Sequence, residues 1–232
     1  MIRQTVYAVS ENTAKPIYTG SLYEIEDGVF KIIAIDGYRM AIRSENVDSE
    51  SKNRFVVPGK TQHEVLKLLT DDEENTDIII GQRHITFKIK NYRIISRLIE
   101  GTFIEYKSAI PKETKTEVVI NTRTIIDAVE RMSLLNNDRI QSPVRCIFSD
   151  DEIKLSCTSA VGRANDVISV PIIGESVEIG FNNRYLLDAL KNADTDEIKL
   201  ILNGSLTAMI VKPVKGDSYL SIVVPMRLAN EN

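Results

Sequence analysis

Apolar and polar positions along this chain switch period many times, and the switches mark out short elements. From Val29 to Ile35 the run is almost wholly apolar, and from Tyr38 to Ile42 polarity alternates. The pairs Asp27-Gly28 and Asp36-Gly37 bracket the first run, so Asp27–Arg43 predicts a strand, a tight turn and a second strand. Asp151–Ile168 repeats the same order further along: an acidic turn, a β-rich segment, a small-residue turn, an arginine and another strand. A repeated hairpin implies a repeated domain.

Read in order, Ile2, Val6 and Val9 fall at helical intervals, predicting the last turns of an amphipathic helix across residues 2–9. Strands are predicted at Ser21–Ile25 and Phe55–Val57. Lys60–Leu69 predicts a short amphipathic helix with Val65, Leu66, Leu68 and Leu69 on its apolar side, and the acidic loop Asp71–Glu74 ends it. Strands at Asp77–Ile80, His84–Ile89 and Arg93–Ile99 follow. Residues 100–116 lose periodicity and gain charge, which reads as a linker. The pattern then restarts: a strand at Glu117–Ile120, Asn121-Thr122 as a helix cap, and a helix over Arg123–Leu135. Strands are expected at Val144–Phe148, Glu152–Thr158, Asp166–Pro171 and Val177–Phe181, then a helix at Asn183–Asn192. Last come strands at Glu197–Leu202, Leu206–Val211 and Ser218–Val224. This order describes four β-α-β-β-β units, the first without its opening strand and the front of its helix. Two units per domain give domains at 1–112 and 113–232, and the ratio of strands to helices argues for an α+β class.

Composition narrows the chemistry. At 43% hydrophobic and 27% charged, the 232-residue chain has enough apolar residues for a buried core. Cys146 and Cys157 sit in apolar strand-like runs, predicting buried reduced thiols and a cytoplasmic location. The opening MIRQTVYAVSEN does not read as a signal peptide, and no window approaches the ~18 apolar residues of a membrane span. His63 and His84 stand apart from any metal-binding spacing, and no glycine-rich nucleotide loop occurs. Pro58-Gly59-Lys60 opens a helix, where a phosphate or merely a strand-to-helix turn fits. No catalytic residue, metal or cofactor is expected.

A net charge of −4 is unusual for a protein that coats nucleic acid. DNA contact therefore requires bases gathered on one face. Arg3, Lys60, Lys67, Arg123, Arg131, Arg184 and Lys191 all fall on predicted helices, while the long acid runs fall in predicted loops. Such a surface holds phosphates without reading bases.

Several motifs then resemble a known family. Lys15–Gly20 (KPIYTG), Ala34–Ala41 (AIDGYRMA), Val57–Lys60 (VPGK), Ser96–Phe103 (SRLIEGTF), Ile179–Tyr185 (IGFNNRY) and Val224–Leu228 (VPMRL) occur in the order and spacing of the β sliding clamp of bacterial DNA polymerase III, followed by four further residues, Ala229–Asn232. The resemblance covers nearly the whole chain. It implies the DNA-clamp fold, with helices on the inner face and antiparallel sheets outside. It also implies a middle-type domain lacking its first strand, a C-terminal-type domain and a missing N-terminal domain, which puts the family's usual two-subunit ring in question.

The resemblance implies a peptide-docking pocket between the two domains. Its residues, carried over by position, are Tyr18, Ile35, Gly37, Tyr38, Arg39 and Met40, with Ile104 and Ala109 near the linker. Asn182, Tyr185, Leu206, Ala208, Ile222, Val224, Pro225, Met226 and Arg227 complete it. Lys15 and Ser108 stand where the family often has arginine, and Tyr38 where it often has histidine, so peptide preference is expected to differ. Implied partners are duplex DNA bound without sequence preference, the polymerase III alpha-type subunit, the clamp loader, other proteins with clamp-binding motifs, and further copies of the chain. The leading expectation is a non-enzymatic processivity factor or a fragment of one. The alternatives are a clamp-like adaptor or decoy that never encircles DNA, and a hydrolase using the acidic loops with added metal.

Overall fold

The computed structural model describes residues 1–70, 75–135 and 142–228, so the acidic loop Asp71–Glu74 and the terminal Ala229–Asn232 lie outside the described residues. The chain forms two compact units, Met1–Glu105 and Tyr106–Asn232. The boundary therefore falls before the expected 112/113 position. The reason is the short 3-10 turn Tyr106–Ala109, whose buried Tyr106 belongs with the second unit.

In the first unit, β1 (Gly20–Glu26), β2 (Val29–Ile35), β3 (Arg39–Asn46) and β4 (Asn53–Pro58) form an antiparallel sheet in the order β3-β2-β1-β4. Helix α1 (Gly59–Leu68) follows, and then an antiparallel sheet of β5 (Asp77–Ile80), β6 (His84–Ile89) and β7 (Tyr92–Arg97). Only Gly59, Gln62 and Val65 of α1 are buried, so its apolar stripe is narrower than the spacing predicts. Leu66 and Leu68 are half-buried and Leu69 is exposed. Gln62 takes the core position instead. Its Nε2 donates to Ser21 Oγ at 3.0 Å and to the Val57 carbonyl at 2.9 Å, which satisfies the donor half of the buried amide, while Oε1 meets no protein donor among the described residues.

The expected helix over residues 2–9 is reduced to a 3-10 turn, Val6–Ala8. Backbone bonds there close mostly over three residues, Ala8 to Thr5 and Val9 to Val6. The Thr5 hydroxyl also donates back to the Met1 and Ile2 carbonyls, each at 3.2 Å, which competes with helical propagation.

The second unit holds β8 (Thr116–Asn121), α2 (Thr122–Ser133), β9 (Val144–Ser149), β10 (Glu152–Ser159), β11 (Gly162–Ser169), β12 (Ile172–Gly174), β13 (Val177–Phe181), α3 (Asn183–Lys191), β14 (Glu197–Leu202), β15 (Met209–Pro213) and β16 (Tyr219–Val223). One antiparallel sheet runs β12-β8-β14-β15-β16 and the other β11-β10-β9-β13. Helices α2 and α3 pack on each other; α2 meets β8 of the first sheet and β10 and β11 of the second, and α3 meets β16. Ile125, Ile126, Val129 and Met132 of α2, with Leu186, Ala189 and Leu190 of α3, enter one continuous core with both sheets. Each of the larger side chains among these contributes about 1.5–3 kcal/mol through burial, and Ala189 less. Asn121 and Asn182 cap the two helices, their side chains accepting from the Thr124 and Tyr185 amides at 3.0 and 3.2 Å.

The module order holds. β4-α1-β5-β6-β7, β8-α2-β9-β10-β11 and β13-α3-β14-β15-β16 are three successive β-α-β-β-β units, and the 3-10 turn with β1-β2-β3 is the abbreviated first one. The fold is α+β, with antiparallel sheets and few helices.

Among the differences from the pattern are two strand starts and one added strand. β11 begins at Gly162 rather than Asp166, because the hairpin turns tightly and pairs Ser159 with Gly162. β15 begins at Met209 rather than Leu206, because Gly204, at φ +93°, prolongs the turn before it. β12 was not foreseen. It pairs with β8 only because Gly174, at φ +116°, has no Cβ: one placed there would lie 1.9 Å from the Lys115 carbonyl oxygen.

Candidate functional site

The turn between β2 and β3 orders the first group of site residues. Asp36 Oδ1 accepts from the amides of Tyr38 and Arg39 at 2.8 and 3.0 Å, and Oδ2 accepts from Arg39 Nε at 2.9 Å. Gly37 supplies the positive φ of +94°. This carboxylate clamp turns Tyr38 outward, 61% exposed, and sends Arg39 inward, where its guanidinium lies 5.5 Å from the centre of the Tyr7 ring. Met40 is 2% exposed and pairs with Ile35, itself buried. Ile35, Arg39 and Met40 are therefore a floor, and Gly37 and Tyr38 are the surface. Tyr18 sits in the 3-10 turn Pro16–Thr19, half-buried, with its ring edge-on to Phe103 at 5.9 Å and Lys15 Nζ 5.8 Å from its centre. Phe103 is buried and its neighbour Ile104 is exposed, so this contact brings Tyr18 and Ile104 to one region.

In the second unit the chain's last described stretch crosses the start of α3. The Met226 amide donates to the Gly180 carbonyl at 2.8 Å. The crossing depends on a missing side chain: a Cβ on Gly180 would stand 2.9 Å from the Met226 carbonyl oxygen and 2.6 Å from Leu228 Cδ2. This seats the half-buried Met226, with its half-buried neighbour Pro225, beside Gly180, which lies two residues before Asn182 in the chain. Asn182 is occupied as the α3 cap, and the half-buried Tyr185 packs against the core of the unit. Val224 and Arg227 are exposed, Leu206 is 86% exposed in the loop before β15, and Ala208 is half-buried in the same loop. Ile222 is 3% exposed and belongs to the core. Ala109 is exposed at the end of the Tyr106–Ala109 turn.

The bases expected to meet DNA are all exposed: Arg3, Lys60, Lys67, Arg123, Arg131, Arg184 and Lys191. The expected segregation of charge does not hold, because the helices carry acids as well. Lys67 pairs with Glu64 at 2.7 Å, Arg123 with Asp127 at 2.8 Å and Lys191 with Glu130 at 2.6 Å. Arg131 Nε donates to Asp166 of β11 at 2.8 Å. The Arg123–Asp127 and Lys67–Glu64 pairs follow from their i,i+4 and i,i+3 spacing, a signal present in the sequence. Lys191–Glu130 and Arg131–Asp166 join separate elements and have no such signal. The hydrogen bond from Lys191 holds the Glu130 carboxyl below its ordinary value. At the start of α1 Gly59 is buried, and a Cβ there would lie 3.0 Å from Val9 Cγ2 and 3.1 Å from the Thr19 carbonyl oxygen, so close packing accounts for this glycine.

Among the described residues no group of three or more His, Cys, Asp or Glu is placed to hold a metal ion. Both cysteines are free and buried, and burial pushes the Cys146 thiol up to about 12. No helix among the described residues is long and apolar enough to cross a membrane. Each unit thus carries large apolar or aromatic side chains exposed at its surface, Tyr38 and Ile104 on the first and Leu206 and Val224 on the second.

The fold places the chain among proteins of known structure. It superposes on a crystal structure of the DNA polymerase sliding clamp from Bacillus subtilis with a TM-score of 0.95 and 32% identity, covering 98% of this chain and 61% of that one. For the DNA polymerase III subunit beta from Pseudomonas aeruginosa the TM-score is 0.92 at 28% identity, covering 98% and 63%. The beta sliding clamp of Halalkalibacterium halodurans is 32% identical over 234 residues, 98% of this chain and 62% of the relative. The chain thus spans about three fifths of the length of these relatives. Residues 1–105 match the family described as the DNA polymerase III beta subunit, central domain, and residues 107–227 match its C-terminal domain. An absent N-terminal domain is no part of what these matches show. With both halves matched, the chain belongs to the DNA polymerase III beta subunit family.

Proposed function

We propose that this chain works as a sliding clamp: a non-catalytic, cytoplasmic processivity factor that holds replication proteins and touches duplex DNA without reading its sequence. The observation that carries the reading is the match of both units, in order, to the two DNA polymerase III beta subunit domains. Partner peptides, including those of a polymerase III alpha-type subunit and a clamp loader, anchor on Tyr18, Tyr38 and Ile104 of the first unit. On the second unit they use Tyr185, Leu206, Val224, Pro225 and Met226. In the first unit the buried Ile35 and Met40 lie behind the surface turn and Arg39 is fixed by Asp36; in the second Ile222 is buried. Anchor residues set in apolar depressions carry most of the affinity of such contacts, and polar rims carry little.

Titration of a Gln-x-x-Leu-Phe peptide against the full chain tests this. Tyr185→Ala with Met226→Ala is expected to weaken binding at least tenfold while the circular dichroism spectrum is unchanged. Equal affinity in wild type and variant removes the assignment. Retention on circular but not linearised DNA, with a native mass above that of one chain, tests encirclement.

The paired state of Lys67, Arg123, Arg131 and Lys191 favours a second reading, an adaptor that binds the same peptides and does not hold DNA. Bases already neutralised by carboxylates release fewer counterions, so the salt dependence of DNA binding decides. A slope of log affinity against log salt near zero supports the adaptor, and a slope set by several phosphate contacts supports the clamp.

A further inference from the structure

The outer face of the β5-β6-β7 sheet has a composition that the fold does not require. Its register puts Asp77, Lys88 and Arg93 in one row, Ile79, Thr86 and Ile95 in the next, and His84 with Arg97 in the third, all on one face. The opposite face turns Ile85, Phe87 and Ile89 into the core. Burial is therefore satisfied on one side only, and the outer side is free to be polar. Instead it carries an apolar ridge, with Ile79 47% and Ile95 62% exposed on either side of Thr86.

The charges beside the ridge are as informative. Lys88, Arg93 and Arg97 enter no ion pair among the described residues, in contrast to four of the seven helix bases. Asp77 is the one carboxylate in these rows, and the face is positive even with His84 neutral.

We infer that this face docks an acidic, extended segment of a partner protein, of the pattern carboxylate-x-apolar-x-carboxylate. Arg93 and Arg97 lie four residues apart on one strand, a distance of about 13 Å. Two carboxylates four residues apart on an extended peptide span the same length. One reaches Arg93 and Lys88, the other reaches Arg97, and the apolar side chain between them lies on the Ile79–Ile95 ridge. A single-stranded nucleic acid fits less well. Binding of that kind uses several aromatic side chains for stacking, and this face carries a single ring, His84, since Tyr92 shares a row with Ile89 on the opposite side. A phosphate backbone also leaves the ridge uncovered.

The test uses the full chain and a fluorescein-labelled peptide, Gly-Glu-Thr-Val-Thr-Glu-Gly, followed by fluorescence anisotropy at low salt. The Glu peptide is expected to bind saturably, and its Gln counterpart at least tenfold more weakly. Arg93→Glu with Arg97→Glu is expected to cost the Glu peptide at least tenfold and to confer binding of a Lys counterpart; Ile95→Ser is expected to cost a few-fold. Binding of the Gln-x-x-Leu-Phe peptide stays unchanged in these variants, which separates this surface from the proposed clamp site and reports an intact fold. The inference is overturned if no saturable binding occurs up to millimolar peptide, or if the double variant binds the Glu peptide like wild type. It is also overturned if an oligo-dT strand binds through Arg93 and Arg97 while the peptide does not.

Discussion

The two units are built from the same module and finish it differently. In the second, two helices of 12 and 9 residues each begin at an asparagine cap, pack against one another and share one continuous core with both sheets. In the first, one 10-residue helix begins at Pro58 without a side-chain cap, and a 3-10 turn stands where the other helix would be. Its core is divided, with Tyr23, Ile32, Val57, Val65 and Phe87 in one cluster and Ala8, Ala34 and Ala41 in another. The β-sheet framework of the first unit thus forms with a 3-10 turn and one helix, and its buried side chains include two clusters separate from each other. The first unit is expected to open at lower denaturant than the second, as read by native-state hydrogen exchange.

The largest expected break in that comparison comes from the second core. Phe181→Ala leaves a cavity beneath both sheets and is expected to cost about 3–5 kcal/mol, enough to make the second unit open first. Labelling of Cys146 and Cys157 reports it directly, because both thiols are buried in that unit and react only when it opens. Unchanged labelling in Phe181→Ala breaks the account of a single shared core.

A smaller effect is expected at the helix starts. Asn121→Ala and Asn182→Ala each remove a cap and should cost about 1 kcal/mol, seen as a lower midpoint for the second unit only. Pro58→Ala at the start of α1 removes no side-chain hydrogen bond, so the first unit is expected to change less. An equal loss in both units removes capping as the source of their difference.

The smallest effect belongs to the Glu130–Lys191 pair that ties α2 to α3. The Glu130 carboxyl sits below its ordinary value when folded, so its contribution is present above the usual carboxylate range and is lost as pH falls through the folded value. Wild type is expected to melt slightly above Glu130→Gln at pH 7, and the gap should close toward pH 3. A gap that persists at pH 3 excludes the ion pair as its cause.

Much of the fold could be read from spacing, because strands and turns write local rules into the chain. The hairpin at Asp36-Gly37 follows from a residue that tolerates positive φ beside one whose carboxylate accepts local amides. The asparagine caps and the three-residue stagger of Ile126, Val129 and Met132 are equally local. The helix over residues 2–9 misled because the periodicity of Ile2, Val6 and Val9 carries no information about Thr5, whose hydroxyl bonds backward. β12 was missed because three residues are too few for a period, and its pairing depends on Gly174 passing the Lys115 carbonyl.

The candidate site divides the same way. Motif order pointed to Tyr38, Tyr185 and Met226 as candidates, yet it did not separate the exposed candidates from the buried Met40 and Ile222. It also missed Phe103 behind Tyr18 and the acids that neutralise the helix bases. The sequence by itself determined the repeated module, the α+β class, the capped helices and the family motifs, since each depends on residues a few positions apart. Only the tertiary structure decided which helix bases are paired, which of the candidate anchors face solvent, and that Ile79 and Ile95 share one row beside Lys88, Arg93 and Arg97, which enter no ion pair among the described residues. Those properties depend on neighbours brought close by sheet register and packing, across stretches of chain where no periodicity links them.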